Sequence, residues 1–230
     1  MSQHAGEIYG LPPSRPEDYD AMRLEAIRQR WDRKAQHWDE DLEDEHCHLH
    51  EDDAYRRFLA ATDAVVAARA VFCRSQLLVD LACGTGLVLK HFIDRFAAGL
   101  GLDLSPQMLA RAAEKQLPRT RWLAADGFAL AAHVVHVGAV FSRGILLSHY
   151  GPRQAPVLLE QIRQSLRPSG GFAMLDFLNA ATRQQYPSNP DNKTYYHAEQ
   201  VQHLAVQAGF RCTSILGEPQ RRILLLLAEM

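Results

Sequence analysis

The stretch from Leu77 to Gly86, with the sequence LLVDLACGTG, decides how this chain is expected to fold. Its first half is apolar apart from Asp80 and is typical of a buried strand, and Gly-Thr-Gly is typical of a tight turn. Glycines at 84 and 86 remove side chains where a ligand must touch the backbone. Apolar residues spaced at Leu87, Leu89 and Phe92 predict a helix directly after the turn. The stretch therefore predicts a strand–turn–helix unit with a ligand site at the turn.

The same alternation of strands and helices continues to the end of the chain. Six further strands are predicted in AGLGLDLS (98–105), TRWLAADGF (120–128), GAVFSRGIL (138–146), FAMLDF (172–177), RCTSILGE (211–218) and RRILLLLAE (221–229). Helices of ten to fifteen residues between strands predict a doubly wound α/β fold around a mostly parallel sheet. The last two strands are too close for a crossover helix, so they predict an antiparallel C-terminal hairpin on a seven-stranded sheet.

Three regions are expected along the chain, which forms a single domain overall. Residues 1–18 are rich in proline and charge and are expected to form a flexible arm. Residues 19–75 carry two helical patterns, about 19–41 and 54–70, and are expected to form an N-terminal helical lid. Residues 76–230 are expected to form the core.

Acidic residues end two of the predicted strands. Asp103 ends the second strand, where a carboxylate can accept hydrogen bonds from both hydroxyls of a ribose. Asp126 ends the third strand and is placed to meet an adenine amino group. Each aspartate alone fits a surface carboxylate or a helix cap. Together with the glycine turn after the first strand, however, they give three such features at the ends of consecutive strands, which favours a nucleoside site. A dinucleotide fingerprint needs a third glycine, and Leu87, Val88 and Leu89 follow Gly86 instead.

These segments together resemble the class I S-adenosylmethionine (SAM)-dependent methyltransferases of the small-molecule, methyltransferase-domain type. VDLACGTG (79–86) resembles the family's first motif, GLDLSPQML (101–109) its ribose segment, LAADGF (123–128) its adenine turn, and LRPSGGFAMLDF (166–177) the entry to its fifth strand. The resemblance implies a Rossmann-like fold, SAM as cofactor and S-adenosylhomocysteine (SAH) as product. The implied cofactor-binding residues are Asp80, Ala82, Gly84, Gly86, Asp103, Leu104, Met108, Asp126, Gly127 and Ser142.

The lid carries a further similarity. WDRKAQHWD (31–39) is similar to a YDxxAxxYD element of family members, in which the second aromatic closes over the cofactor. The similarity implies that role for Trp38, although an indole cannot replace a tyrosine hydroxyl. Alternatively, Trp31 and Trp38, seven positions apart, form one apolar helix face packed on the core.

The acceptor side is expected after the fourth and fifth strands. His149 is the general-base candidate by its position and because an unperturbed imidazole has a near-neutral pKa, with a structural loop cap as the alternative. Arg143 is expected to hold a substrate carboxylate or to pair with a lid carboxylate. Tyr196, with Tyr195 and His197, is expected to supply polar acceptor contacts, unless it is a helix-docking aromatic.

Composition narrows the function classes. The formal net charge of −2 disfavours a nucleic-acid substrate, and the NPPY-like tetrapeptide of base-amino methyltransferases is absent. No signal peptide or membrane span is apparent, and the four cysteines lack paired spacing, so a reducing cytoplasmic location is expected. The segment His46–His50 (HCHLH) could hold a metal, but a solvated lid connection is the favoured interpretation, because methyl transfer from a sulfonium needs no metal.

The expected function is SAM-dependent methyl transfer to a nitrogen, oxygen or activated carbon of a small molecule, by in-line displacement in a monomer or homodimer. The alternative is a SAM-fold protein without methyl transfer, either a regulatory binding module or an enzyme of another SAM-dependent displacement.

Overall fold

The structure is a computed structural model that describes residues 21–39, 54–144, 146–149, 153–182 and 194–228. The predicted flexible arm and the His46–His50 segment lie outside these residues. Within the described ranges, none of the helices is both long enough and apolar enough to cross a membrane.

Seven strands form one sheet. They are β1 (Leu77–Leu81), β2 (Ala98–Asp103), β3 (Thr120–Ala124), β4 (Ala139–Ser142), β5 (Phe172–Phe177), β6 (Cys212–Leu216) and β7 (Ile223–Ala228). Their spatial order is β3-β2-β1-β4-β5-β7-β6. Pairings among β1 to β5 are parallel, while β7 runs antiparallel to both β5 and β6. The mostly parallel seven-stranded sheet with an antiparallel C-terminal hairpin is confirmed.

Helices cover both faces of the sheet. They are α1 (Ala21–Lys34), α2 (Ala54–Ala68), α3 (Ala70–Cys73), α4 (Leu87–Phe92), α5 (Pro106–Glu114), α6 (Leu130–His133), α7 (Ala155–Ser165) and α8 (Ala198–Gln207). At the start of α5 the Ser105 side chain accepts a hydrogen bond from the Met108 N–H, and Pro106 takes the first helical position, as the sequence indicates.

The core lies in two layers, one on each face. One contains buried residues of α7 and α8, such as Leu158, Ile162 and Val201. The other contains Phe58 and Val66 of α2 together with residues of α4. The helix α2, which belongs to the region expected to form a lid, therefore packs within the core. The carboxyl ends of the parallel strands form the edge of the sheet where a ligand is expected, which we call the ligand edge. Residues 21–39 lie at this edge, and we call them the lid segment.

The structure differs from the predicted fourth strand and its surroundings. β4 stops at Ser142 and is followed by a turn at Gly144, where φ is +111°, and by a 3₁₀ helix from Leu146 to His149. The turn ends the strand because the Gly144 N–H donates to the Asp176 carboxylate instead of continuing a strand ladder. The short helix α6 between β3 and β4 was not predicted, since its four residues span barely one helical turn.

Candidate cofactor and acceptor site

Three residues in the loop between β1 and α4 have a left-handed backbone conformation. Ala82, Gly84 and Gly86 have φ values of +56°, +54° and +78°, and the Gly86 N–H closes the turn on the Cys83 carbonyl at 2.9 Å. A Cβ on Gly86 would lie 2.6 Å from the Trp122 ring, so only glycine fits there. A Cβ on Gly84 would meet the Trp38 Nε1 at 3.4 Å, an ordinary contact, so strain at positive φ is the main restriction at that position. This glycine loop exposes backbone at the carboxyl end of β1.

Asp103 joins the end of β2 to the glycine loop. Its carboxylate accepts hydrogen bonds from the Gly84 N–H at 2.8 Å and from the Ser105 N–H at 2.9 Å. Burial raises the pKa of Asp103 above its usual range, while the N–H groups of Ser105, Gly84 and Leu104 oppose the rise. The carboxyl group is thus fixed in orientation at the ligand edge of the sheet.

Asp80 lies buried beneath the same loop. Its side-chain Oδ2 is buried and has no hydrogen-bond partner among the described residues. Burial raises the pKa of Asp80 to about 8, the nearby Asp103 carboxylate adds to the rise, and Arg143 opposes it. A buried carboxyl oxygen without a hydrogen bond destabilises the folded protein, unless a ligand group forms a hydrogen bond or an ion pair with it. The arrangement fits a cationic or hydrogen-bond-donating group above the loop.

The lid segment brings two tryptophans to this edge. Trp38 lies over Gly84, and its ring meets that of Trp31 edge to face at 5.4 Å between centroids. Trp31 in turn contacts the His149 ring at 6.1 Å. Both tryptophans are half-buried. The pair therefore lies between the glycine loop and the 3₁₀ helix after β4, rather than in the core.

Two aspartates of the lid segment, not identified from the sequence, hold it in place. Asp32 accepts hydrogen bonds from the Ser105 hydroxyl at 2.5 Å and the Gln107 N–H at 3.3 Å. Asp39 accepts hydrogen bonds from the Thr85 hydroxyl and from the Lys115 ammonium. In the sequence, only their position directly after each tryptophan sets these two aspartates apart. Their hydrogen-bond partners are more than forty positions away, so the sequence does not indicate them.

The remaining predicted cofactor residues line the same edge. Asp126 caps the turn after β3 by accepting from the Phe128 N–H at 3.0 Å, and burial raises its pKa. Gly127 packs closely over β1, since a Cβ there would lie 3.2 Å from Leu81. The Met108 sulfur lies 4.0 Å from the position of a Cβ on Gly84. The Ser142 hydroxyl donates to the Leu81 carbonyl at 2.8 Å and is buried, so it ties β4 to β1.

Arg143 and His149, which we predict to lie on the acceptor side, follow the carboxyl end of β4. The Arg143 guanidinium stacks over the ring of Tyr55, at 4.9 Å from the centroid. Tyr55 was not identified from the sequence. Its pKa is raised by burial and by the Asp80 and Asp39 carboxylates, while Arg143 opposes the rise, so these groups share one electrostatic environment.

A buried ion pair supports the turn after β4. The Asp176 carboxylate accepts from the Gly144 N–H at 3.0 Å and pairs with Arg222 Nη1 at 3.0 Å. Both side chains are 1% exposed. A Cβ on Gly144 would meet no atom of the described residues within 4 Å.

The structure corrects the prediction that Tyr196 supplies a polar acceptor contact. Tyr196 is 1% exposed, its ring packs edge to face on Phe177 at 5.4 Å, and its hydroxyl donates to the Leu147 carbonyl at 3.3 Å. Burial raises its pKa. The tyrosine is therefore a core residue, and its backbone N–H donates to the Leu178 carbonyl at 2.9 Å.

Two other features of the described residues complete the site's surroundings. Among them no group of three or more histidine, cysteine, aspartate or glutamate side chains could hold a metal ion. A cavity of about 320 Å³ lies beyond β5 at the same edge of the sheet, lined by residues that include Asn179, His197, Glu199, Leu216 and Ile223.

The fold and the site together define a class of protein. A sheet in the order found here, a left-handed glycine loop after β1 and buried carboxylates ending β1 and β2 are the features of the class I SAM-dependent methyltransferases. The buried Asp80 oxygen, which has no hydrogen-bond partner among the described residues, and the left-handed glycine loop fit the cofactor of that class, SAM.

Comparisons with known proteins agree. Residues 78–170 match the family model described as a methyltransferase domain. The chain is similar to trans-aconitate 2-methyltransferase of Deinococcus radiodurans, with 32% identity over 120 residues, or 51% of this chain. The match spans 40% of that relative's length. The residues matched by the family model include the glycine loop, Asp103 and Asp126.

Solved structures share the fold. Magnesium protoporphyrin IX methyltransferase of Synechocystis with bound SAH superposes with a TM-score of 0.69 at 14% identity, over 89% of this chain and 98% of that one. A sugar N-methyltransferase of Streptoalloteichus superposes with a TM-score of 0.59 at 20% identity, over 74% of this chain and 86% of that one.

Proposed function

We propose that this protein transfers the methyl group of SAM to a small-molecule acceptor. The observation that carries the proposal is the convergence of Asp80 and Asp103 on the left-handed glycine loop beneath Trp38. Oriented carboxylates and open backbone on one edge suit a ligand that bears an ammonium group and a ribose.

Each part of the cofactor has a candidate partner in the chain. We assign Asp103 to the ribose hydroxyls and Asp126 to the adenine amino group. We assign the methionine part to the backbone of the glycine loop at Gly84, with Asp80 below it. When bound, SAM supplies a methyl group already activated by its sulfonium. The chain therefore needs to orient the acceptor and exclude water rather than to form a covalent intermediate.

The acceptor side offers one proton acceptor and one cation. His149 follows β4 and reaches Trp31 of the lid segment, so its imidazole lies between the lid and the sheet edge. We assign it the removal of a proton from the acceptor nucleophile, at nitrogen, oxygen or activated carbon. Arg143, stacked on Tyr55, supplies a positive charge for an acceptor carboxylate.

The relatives support a small acceptor. Their names give as acceptors trans-aconitate, magnesium protoporphyrin IX and a sugar, which differ in chemistry but are all small molecules. The slightly negative net charge also disfavours a polyanion such as nucleic acid. A cytoplasmic monomer or homodimer remains our prediction, which cell fractionation and sedimentation would check.

The test is to incubate the protein with methyl-labelled SAM and a metabolite extract. Labelled small molecules and stoichiometric SAH should form with the parent, and neither should form with Gly84→Val, whose side chain is strained at φ +54°. Circular dichroism of the variant should match the parent. SAM binding without labelled product from any extract would contradict methyl transfer and favour a SAM-binding module.

A further inference from the structure

The lid segment is attached directly to the glycine loop by one charged cluster. The Asp39 carboxylate accepts a hydrogen bond from Thr85, which lies between Gly84 and Gly86, and pairs with Lys115 Nζ at 2.7 Å. Thr85 is fully buried, and the Lys115 and Asp39 side chains are 16% and 36% exposed. We call these three side chains, of Thr85, Asp39 and Lys115, the latch.

The latch fixes the position of Trp38. Because Asp39 is the next residue, anchoring its carboxylate to the glycine loop and to the residue after α5 leaves the Trp38 indole directly over Gly84. The cofactor's methionine part must reach the backbone at Gly84 if the proposed function holds. A ligand therefore cannot enter or leave that position until Trp38 moves, and Trp38 cannot move far while Asp39 stays bound.

A second contact makes the motion a hinge rather than a detachment. Asp32, one helical turn and a half before Trp38, is bound to the Ser105 hydroxyl and the Gln107 N–H at the start of α5. A carboxylate at that helix end is favoured by the helix dipole. Opening the latch alone thus swings the end of the lid segment while α1 stays in place.

We propose that the latch gates the cofactor site, so that its opening sets how fast SAM enters and SAH leaves. The inference rests on the proposed function, since it needs SAM at the glycine loop. The latch consists of protein groups only, so it can form both without and with a bound ligand. It therefore closes the path to entering and to leaving ligands. Weakening it should speed association and dissociation together and change the affinity little.

The experiment uses stopped-flow SAH binding followed by intrinsic fluorescence, because the chain has three tryptophans and all of them, Trp31, Trp38 and Trp122, lie beside the site. Lys115→Met keeps the apolar stem and removes the charge. The matched control is Lys90→Met, an exposed lysine of α4. Lys115→Met should raise both rate constants about three- to tenfold, with a change in Kd of less than about twofold, while Lys90→Met should match the parent.

Salt provides an independent measurement. Raising the salt concentration from about 0.05 M to about 0.5 M should speed SAH exchange in the parent and leave Lys115→Met unchanged, because screening weakens the partly exposed ion pair. The charge-exchanged protein Asp39→Lys with Lys115→Asp should exchange SAH more slowly than Lys115→Met does. Thr85→Val tests the other contact of Asp39 and should also speed both steps.

Three results would overturn the gate. Equal rate constants in Lys115→Met and Lys90→Met would show that the ion pair does not hold the lid. A faster dissociation with unchanged association would show that Lys115 stabilises the bound state without closing the path. A parent that binds no SAH would overturn both the gate and the proposed cofactor, whereas the first two results leave the cofactor in place.

Discussion

Gly84 donates its N–H to the Asp103 carboxylate across 2.8 Å, although the two residues are nineteen positions apart in the sequence. The bond joins the glycine loop to the end of β2, and the neighbouring Ser105 links the same carboxylate to the lid through Asp32. The group proposed to bind the ribose therefore also holds the loop proposed to bind the methionine part. One carboxylate organises both halves of the site.

Replacing Asp103 by alanine should weaken SAH binding by about 30- to 700-fold, or about 2–4 kcal/mol, because charge-assisted hydrogen bonds to the ribose are lost. Titration calorimetry measures the change. Asp94→Ala is the control, since that side chain is 87% exposed and distant from the loop contacts of Asp103. Equal affinity in the parent and Asp103→Ala would remove Asp103 from the site.

Asp80→Asn should stabilise the protein in a pH-dependent way. The raised pKa of about 8 means that folded Asp80 stays protonated where the unfolded side chain, with a pKa near 3.9, is ionised. The contribution of the Asp80 carboxyl to the free energy of unfolding is thus fully present below about pH 4 and is lost as the pH rises through about 8. The variant has no such loss, so its advantage in unfolding free energy should grow to a few kcal/mol near about pH 9.

Denaturant titrations of the parent and Asp80→Asn at about pH 5 and about pH 9 check this sign. The same variant should bind SAM more weakly, because a bound ammonium favours ionisation of the Asp80 carboxyl and an amide cannot ionise. A stability difference that is the same at both pH values would show that the Asp80 carboxyl is not destabilised by burial.

His149→Phe separates catalysis from packing at the acceptor side. Phenylalanine retains an aromatic ring against Trp31 but cannot take a proton, so turnover should fall by about 10²- to 10⁴-fold with an unchanged melting temperature. The measurement is turnover on an identified acceptor beside a melting curve. If His149 instead caps the loop, His149→Ala will lose thermal stability and keep its activity per folded molecule.

The Asp176–Arg222 pair should show strong coupling. Arg222→Met leaves a buried carboxylate without its cation, and Asp176→Leu leaves a buried guanidinium without its anion, so each should cost about 3–5 kcal/mol. The double variant should cost less than the sum of the two, because no isolated charge remains buried. Urea unfolding of all four proteins measures the coupling, and strict additivity would contradict it.

The periodicity of the sequence was sufficient to predict the strands of the sheet and the acidic residues at the ends of these strands. The β-strand signal of FAMLDF and the Ser105–Pro106 helix start depend on neighbouring residues, so both could be read locally. The latch could not, because Asp39 meets Lys115 only after the chain has folded across 76 positions. Tyr196 was misassigned for a similar reason: the side chain follows a polar loop, and its burial depends on Phe177 and Leu147.

The position of β7 has a consequence for how the protein is made. β7 lies inside the sheet, between β5 and β6, although it is the last strand along the chain. A nascent polypeptide that has not yet reached Ile223 would leave one side of β5 bare, and FAMLDF is an apolar strand edge without charged protection except Asp176. β6 would have no neighbouring strand at all, since β7 is its partner in the sheet. Translation that stalls between β6 and β7 should therefore yield chains prone to edge-to-edge aggregation and dependent on chaperones.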